Sequence, residues 1–124
     1  MDNTQMEFRF SFFTQKFKET IIFYKDTLQL PVVYNWNRGF NDSGCLFKAA
    51  GGHIVVLESA TKQVEPLMDA VLLIQVEDLD TQYQFCKDQG VEVVQGIQKR
   101  EWGDRDFKII DPNRLVLGFY SRKQ

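Results

Sequence analysis

Residues 53–58 read His53-Ile54-Val55-Val56-Leu57-Glu58, an apolar run that ends in a single carboxylate. On a strand, side chains alternate between faces, so Glu58 joins Val56 and Ile54 on one side while His53 joins Val55 and Leu57 on the other. An acid therefore sits on an otherwise apolar face. That acid must meet a metal, a ligand or a basic side chain.

Upstream, Gly51-Gly52 turns the chain into this strand from another at 45–49. Asn37-Arg38-Gly39 and Asn41-Asp42-Ser43-Gly44 mark a turn region, and residues 32–36 before it form a strand. Phe17, Ile21, Tyr24 and Leu28 fall at i, i+4, i+7 and i+11, the stripe of an amphipathic helix that Pro31 brings to an end. In residues 7–14, Phe8, Phe10 and Phe12 point one way and Arg9, Ser11 and Phe13 the other, which predicts a first strand with its even-numbered face in the core. The order is βαβββ.

Downstream, residues 60–69 are polar, include Pro66 and predict a linker. The same order then returns: a strand at 71–76, a helix carrying Leu79, Tyr83 and Cys86 with Asp78 as N-cap and Gly90 at its exit, and strands at 91–94, 105–110 and 114–120. Under an offset of 62, Arg9 falls on Val71, Phe17 on Leu79, Ile21 on Tyr83 and Tyr24 on Cys86. Such self-similarity predicts an α+β fold of two tandem βαβββ modules, forming a cup-shaped mixed sheet with the helices on its convex face. Residues 1–124 then make one domain, with module one at about 6–59 and module two at about 70–121. Leu72, Ile74 and Val76 pack under the second helix with Leu115, Leu117 and Phe119, and the opposite faces line a concavity suited to a small ligand.

Composition narrows the function. With 44% hydrophobic and 26% charged residues the chain is an ordinary globular one, and a net charge of -2 gives no footprint for nucleic acid or anionic membrane. No apolar run reaches the roughly 20 residues that span a bilayer, and Met1-Asp-Asn-Thr-Gln-Met-Glu7 lacks the features of a signal peptide, so the expected location is cytoplasmic. Cys45 and Cys86 are too few for a disulfide scaffold and too far apart for a zinc knuckle, and are expected to be buried free thiols.

Three elements carry a resemblance to a known family: Thr20-Ile-Ile-Phe-Tyr-Lys-Asp-Thr-Leu28, Val76-Glu-Asp-Leu79, and Trp102-Gly-Asp-Arg105 followed by Asp111-Pro112-Asn113. In this order and spacing they resemble the S-x-x-F-Y-x-x-x-L, V-x-D-L, W-G-x-R and D-P-x-G elements of the vicinal oxygen chelate superfamily, which includes glyoxalase I, extradiol dioxygenases, and fosfomycin and bleomycin resistance proteins. Arg114 stands where the last element has glycine. The resemblance implies a divalent metal held from four positions. Counting fourteen back from Phe23 gives Arg9 for the first, the second matches Glu58, the third falls on Val71, and seven on from Asp111 the fourth falls on Gly118. Only Glu58 is a metal ligand, so neither metal nor other cofactor is expected.

In place of the metal, the first and last strands of module one are expected to be neighbours, so that Arg9 and Glu58 face each other as an ion pair. That pair either offers its charges to a ligand or neutralises itself in a part-buried cleft. His53 is the sole histidine, cannot complete a His-cluster or a Ser-His-Asp triad, and by parity points away from the cavity. Ser11 and Gln75 lie on the concave face as ligand-orienting or internally satisfied polar groups. Tyr34, Trp36, Phe13 and Val56 are expected as walls from module one, and Val71, Leu73, Gly118 and Tyr120 from module two. Trp102 either touches ligand or packs its turn. The leading expectation is a metal-free protein that holds a small, partly aromatic organic molecule, similar to the bleomycin resistance group, without catalytic residues and as a homodimer. The rival readings are an enzyme of the same superfamily with an altered ligand set or with Glu58 as a base, and a structural module whose cavity is filled by its own side chains.

Overall fold

The computed structural model describes residues 6–65 and 69–122; Pro66 and the first five residues lie outside that range. Elements follow in the order β1 (Phe8–Thr14), α1 (Phe17–Ile22) continued by a π-helical stretch (Phe23–Thr27), β2 (Val32–Asn37), β3 (Ser43–Ala49) and β4 (Gly52–Glu58). The second module supplies β5 (Val71–Gln75), α2 (Leu79–Asp88), β6 (Val93–Lys99), β7 (Arg105–Ile110) and β8 (Val116–Ser121). This is βαβββ twice, in an α+β arrangement. β4 lies at the expected position, whereas β6 spans Val93–Lys99 rather than 91–94. Two register shifts along β6 against β7 explain why no clean alternation announced it.

Each module folds into a four-stranded sheet, ordered β1-β4-β3-β2 and β5-β8-β7-β6. The first and last strands of each module run parallel, and the other neighbours antiparallel. The two modules give a cupped sheet that does not close, with the helices on its convex face. Beneath α1 and its continuation, Tyr24 and Leu28 meet Phe47, Cys45, Ile54 and Val56, with Phe10 and Phe12 packed alongside. Beneath α2, Leu79 and Cys86 meet Ile74, Phe107, Ile109, Leu117 and Phe119. Ring contacts run through both layers, with centroids 5.8 Å apart for Tyr24–Phe47 and 5.4 Å for Phe107–Phe119. Each such side chain contributes about 1.5–3 kcal/mol by leaving water. Phe8 departs from the expected core set: it is 65% exposed at the start of β1, where its cross-strand partner Gly52 has no side chain to cover it.

Both cysteines are free and buried, and burial pushes both thiols up, which keeps them unreactive. The Asp78 side chain accepts from the Thr81 amide (3.1 Å) as the expected N-cap of α2, and Gly90 takes the left-handed conformation (φ +76) after its end.

The two motifs most distant in sequence meet in space. Tyr24 Oη donates to Asp111 Oδ2 (2.8 Å), Asn113 Nδ2 donates to Thr20 Oγ1 (2.9 Å), and Thr14 Oγ1 donates to Asn113 Oδ1 (2.5 Å). Asp111 Oδ1 accepts from the amides of Asn113 (2.7 Å) and Leu115 (2.8 Å), which holds the β7–β8 turn. The helix of module one is thus latched to the last turn of module two. Arg114, inside that turn, has φ +67, the left-handed conformation that favours glycine.

Candidate functional site

Register along the sheets determines which side chains share the open, concave face. In module one the rows run across β1, β4, β3 and β2. Arg9 pairs with His53, and His53 with Lys48. Ser11 pairs with Val55, Val55 with Leu46, and Leu46 with Tyr34. Phe13 pairs with Leu57, Leu57 with Gly44, and Gly44 with Trp36. Module two contributes Val71–Val116–Ile110, Leu73–Gly118–Lys108 and Gln75–Tyr120–Asp106. One end of the module-one face is polar, and the rest is apolar.

Several of these apolar groups are open to solvent, although the other face of the same sheets is tightly packed. Phe13 is 57% exposed, Tyr34 58% and Leu73 54%, with Val71 also exposed. Trp36 lies across Gly44, where a β-carbon would overlap the indole, and stands 5.9 Å from the Tyr34 ring with the Arg38 guanidinium 5.4 Å above it. Glycine at that point is what lets the indole lie on the sheet. Where the modules border each other, a hollow of about 470 Å³ is lined by Ser11, Phe13, Thr14, Asn113 and Leu115 among others, a volume in the range of small-molecule sites. A second seam hollow, about 220 Å³, includes His53, Leu73, Gln75 and Tyr120. A larger one of about 600 Å³ sits beside the start of α2, where Arg105 pairs with Asp80 at 2.9 Å and Asp78 caps the helix.

Two polar clusters interrupt the apolar face. In module one, Glu7 Oε1 accepts from Lys48 Nζ (3.2 Å) while Glu7 Oε2 lies 3.5 Å from His53 Nδ1. The Lys48 hydrogen bond, then His53 and Arg9 nearby, hold the Glu7 carboxyl below its usual range against a smaller opposing effect of burial. His53 is 8% exposed and its Nδ1 has no hydrogen-bond partner among the described residues. In module two, Arg100 forks onto Asp106, with Nε to Oδ2 at 2.7 Å and Nη2 to Oδ1 at 2.9 Å, and Gln95 Nε2 donates to the same carboxylate at 2.8 Å. The Arg100 hydrogen bonds draw the Asp106 carboxyl below the carboxylate norm. Neither cluster was foreseen. The alternation of Asp106 and Lys108 against Phe107 and Ile109 carries the signal for the second.

Several expected placements are overturned. Arg9 does not face Glu58: it pairs with His53, and Glu58 pairs with Thr14 five residues further along, roughly 17 Å away on a strand rising about 3.3 Å per residue. Glu58 also shares its parity with Ile54 and Val56, the helix-covered side. Val56, expected as a cavity wall, is 0% exposed and sits in the core between Cys45 and Phe12. By the same correction His53 faces the open side. Both parities of β4 are apolar, so the pairing of Ile54 with Phe10 and Phe47 chose the buried one. Trp102 lies in the β6–β7 turn, exposed, with its indole N–H donated to Asp104 Oδ2 (3.2 Å), apart from the open-face rows. Arg9, Ser11, Phe13, Tyr34, Trp36, Val71, Leu73, Gln75, Gly118 and Tyr120 do share the open face.

The four positions at which the resemblance would place a metal do not fit one. Arg9 is a permanent cation, Glu58 belongs to the other face, and Val71 offers no donor. A β-carbon on Gly118 would overlap Leu73 Cδ2, so hydrocarbon covers that corner. Among the described residues no three of His, Cys, Asp or Glu come together in a metal-holding group.

A family model described as the Glyoxalase/Bleomycin resistance protein/Dioxygenase superfamily matches residues 8–119. No curated protein matches the sequence. Among solved structures, a glyoxalase/bleomycin resistance protein/dioxygenase from Alicyclobacillus acidocaldarius is 21% identical with a TM-score of 0.74, over 100% of this chain and 96% of its own. TnmS3, an antibiotic binding protein from Streptomyces sp. CB03234, is 20% identical with a TM-score of 0.77, over 99% of this chain and 100% of its own. TioX from Micromonospora sp. ML1 is 12% identical with a TM-score of 0.75, over 95% of this chain and 99% of its own. At these identities the likeness is one of fold.

Proposed function

Since the chain belongs to the Glyoxalase/Bleomycin resistance protein/Dioxygenase superfamily, we propose that its concave face binds a small, partly aromatic organic molecule without the aid of a metal ion. The observation that carries this reading is that Phe13, Tyr34, Val71 and Leu73, all exposed, lie together on the concave face. Exposed apolar surface beside a few polar groups is the usual form of a ligand site. Tyr34 and Trp36 supply flat surfaces for stacking, and Arg9, Ser11, Gln75 and Tyr120 supply polar anchors. That one protein of similar fold, TnmS3, is described as antibiotic binding supports the same class of role. That no three of His, Cys, Asp or Glu come together among the described residues supports the metal-free half.

The reading extends to a cytoplasmic homodimer. Free buried thiols suit a reducing compartment, and no helix among the described residues is long and apolar enough to cross a membrane. Strands β2 and β6 are outer edges that a second copy would cover. Titration with small aromatic compounds, followed through tryptophan emission, tests the binding: Trp36 on the open face should report saturable quenching, and Trp36→Phe should remove most of it. A flat response across an aromatic library would leave the cavity without a function. Elemental analysis should find no stoichiometric zinc, manganese, nickel or iron, and sedimentation should give twice the chain mass.

A further inference from the structure

The first row of the open face is electrostatically odd. Arg9 on β1, His53 on β4 and Lys48 on β3 are successive cross-strand partners, so three basic side chains stand shoulder to shoulder within about 10 Å. Arg9 and Lys48 are permanent cations one strand to either side of His53. The carboxylate found among them is Glu7, which enters from the residue before β1, accepts from Lys48 at 3.2 Å and stands 3.5 Å from His53 Nδ1. One carboxylate against Arg9 and Lys48 leaves a surplus of positive charge. Among the described residues Arg9 forms no ion pair, and His53, more than nine-tenths buried, has no hydrogen bond at Nδ1, whose charged neighbour is Glu7 Oε2.

The neighbouring rows have the opposite character. Ser11, Val55, Leu46 and Tyr34 follow roughly 7 Å along the strands, and Phe13, Leu57, Gly44 and Trp36 roughly 13 Å along. A ligand complementary to this face has an anionic head at one end and an aromatic body beginning about 7 Å away. We infer that the Arg9–His53–Lys48 row is an anion subsite that takes the carboxylate of an aryl-alkanoic acid, and that Glu7 fills this place until the ligand displaces it. The inference rests on the concave-face binding proposed above and names the chemical class of its ligand. Glu7 is suited to exchange because it lies outside the strand and its pair with Lys48 is solvent-exposed, where an ion pair contributes little. Arg9 presents a planar fork that matches a carboxylate.

Calorimetric titration of 4-phenylbutanoate and its neutral counterpart 4-phenylbutan-1-ol separates the two readings. The acid should bind about tenfold or more tightly than the alcohol, as a charge-assisted contact provides. Arg9→Gln should bring the two level. Glu7→Gln should tighten the acid several-fold and leave the alcohol unchanged, whereas Lys18→Gln, a charge change on the exposed side of α1, should alter neither. Equal affinity for acid and alcohol in the parent overturns the anion subsite and leaves concave-face binding intact. Weaker or unchanged binding of the acid by the Glu7 variant overturns displacement of Glu7. Binding of neither compound removes both readings.

Discussion

Tyr24→Phe deletes one oxygen from the latch between the modules and nothing else. The ring is 0% exposed, and its hydroxyl donates to Asp111 Oδ2 at 2.8 Å, the carboxyl itself being buried. Without that hydroxyl, Oδ2 retains among the described residues the Asn113 Nδ2 contact at 3.4 Å, while Oδ1 keeps the two amide donors of its own turn. A lost hydrogen bond to a buried charged group costs about 1.5–3 kcal/mol. With an unfolding entropy near 2.1 cal/mol/K per residue over 124 residues, each kcal/mol moves Tm by about 4 °C, so the variant should melt roughly 6–12 °C lower. Thermal melting by circular dichroism at pH 7, with a urea titration alongside, measures it, and a cycle with Asp111→Asn should show a coupling of about 1 kcal/mol or more. The alkaline limb gives an independent readout. Burial, then the charge of Asp111 and the hydrogen bond to it, push the Tyr24 hydroxyl well above its ordinary value of 10.0. The folded chain therefore holds a proton that the unfolded chain releases, so this contribution is complete below about pH 10 and declines as pH rises beyond it. That decline should be shallower in the phenylalanine variant. A Tm within 2 °C of the parent, with the same alkaline slope, would refute the latch.

Arg114→Gly should raise Tm by about 2–4 °C, because relief of the left-handed conformation at φ +67, worth about 1–2 kcal/mol, exceeds the extra freedom glycine gains when unfolded. A lower melting point would show that the arginine side chain contributes more than its backbone strain removes. Gly44→Ala should lift the Trp36 indole off β3, shift its emission to longer wavelength and destabilise by about 1–3 kcal/mol, all read in one fluorescence-monitored melt. An unshifted spectrum would place the indole elsewhere. Arg100→Gln should lower Tm at neutral pH. Since Arg100 depresses the Asp106 carboxyl, the stability it lends is present above about pH 4 and lost as pH falls through the folded-state value, so parent and variant should converge by about pH 2. A constant difference across that interval would mean the pair is not what separates them.

The modules, their helices and the parity of β1, β5 and β8 were legible because each depends on spacing within a single segment. The 62-residue offset carried even more than the strand patterns did. Adding it to Val32, where β2 begins, gives Val94, one residue from the observed start of β6, which register shifts had hidden from any reading by alternation. The F-Y and D-P-N motifs were visible as separate marks of a family, but no local pattern says that Tyr24 and Asp111, 87 residues apart, form one hydrogen bond.

The amino-acid order by itself determined which side chains of a strand lie together, since a strand's period of two is a property of its own backbone. Which of a strand's two sides is buried was decided only when the sheet packed against α1. Ile54 and Val56 on one parity of β4 and Val55 and Leu57 on the other are equally apolar, so nothing local chose between them. Packing against Phe10, Phe12, Cys45 and Phe47 made the choice, and it turned Glu58 away from the open face and His53 toward it.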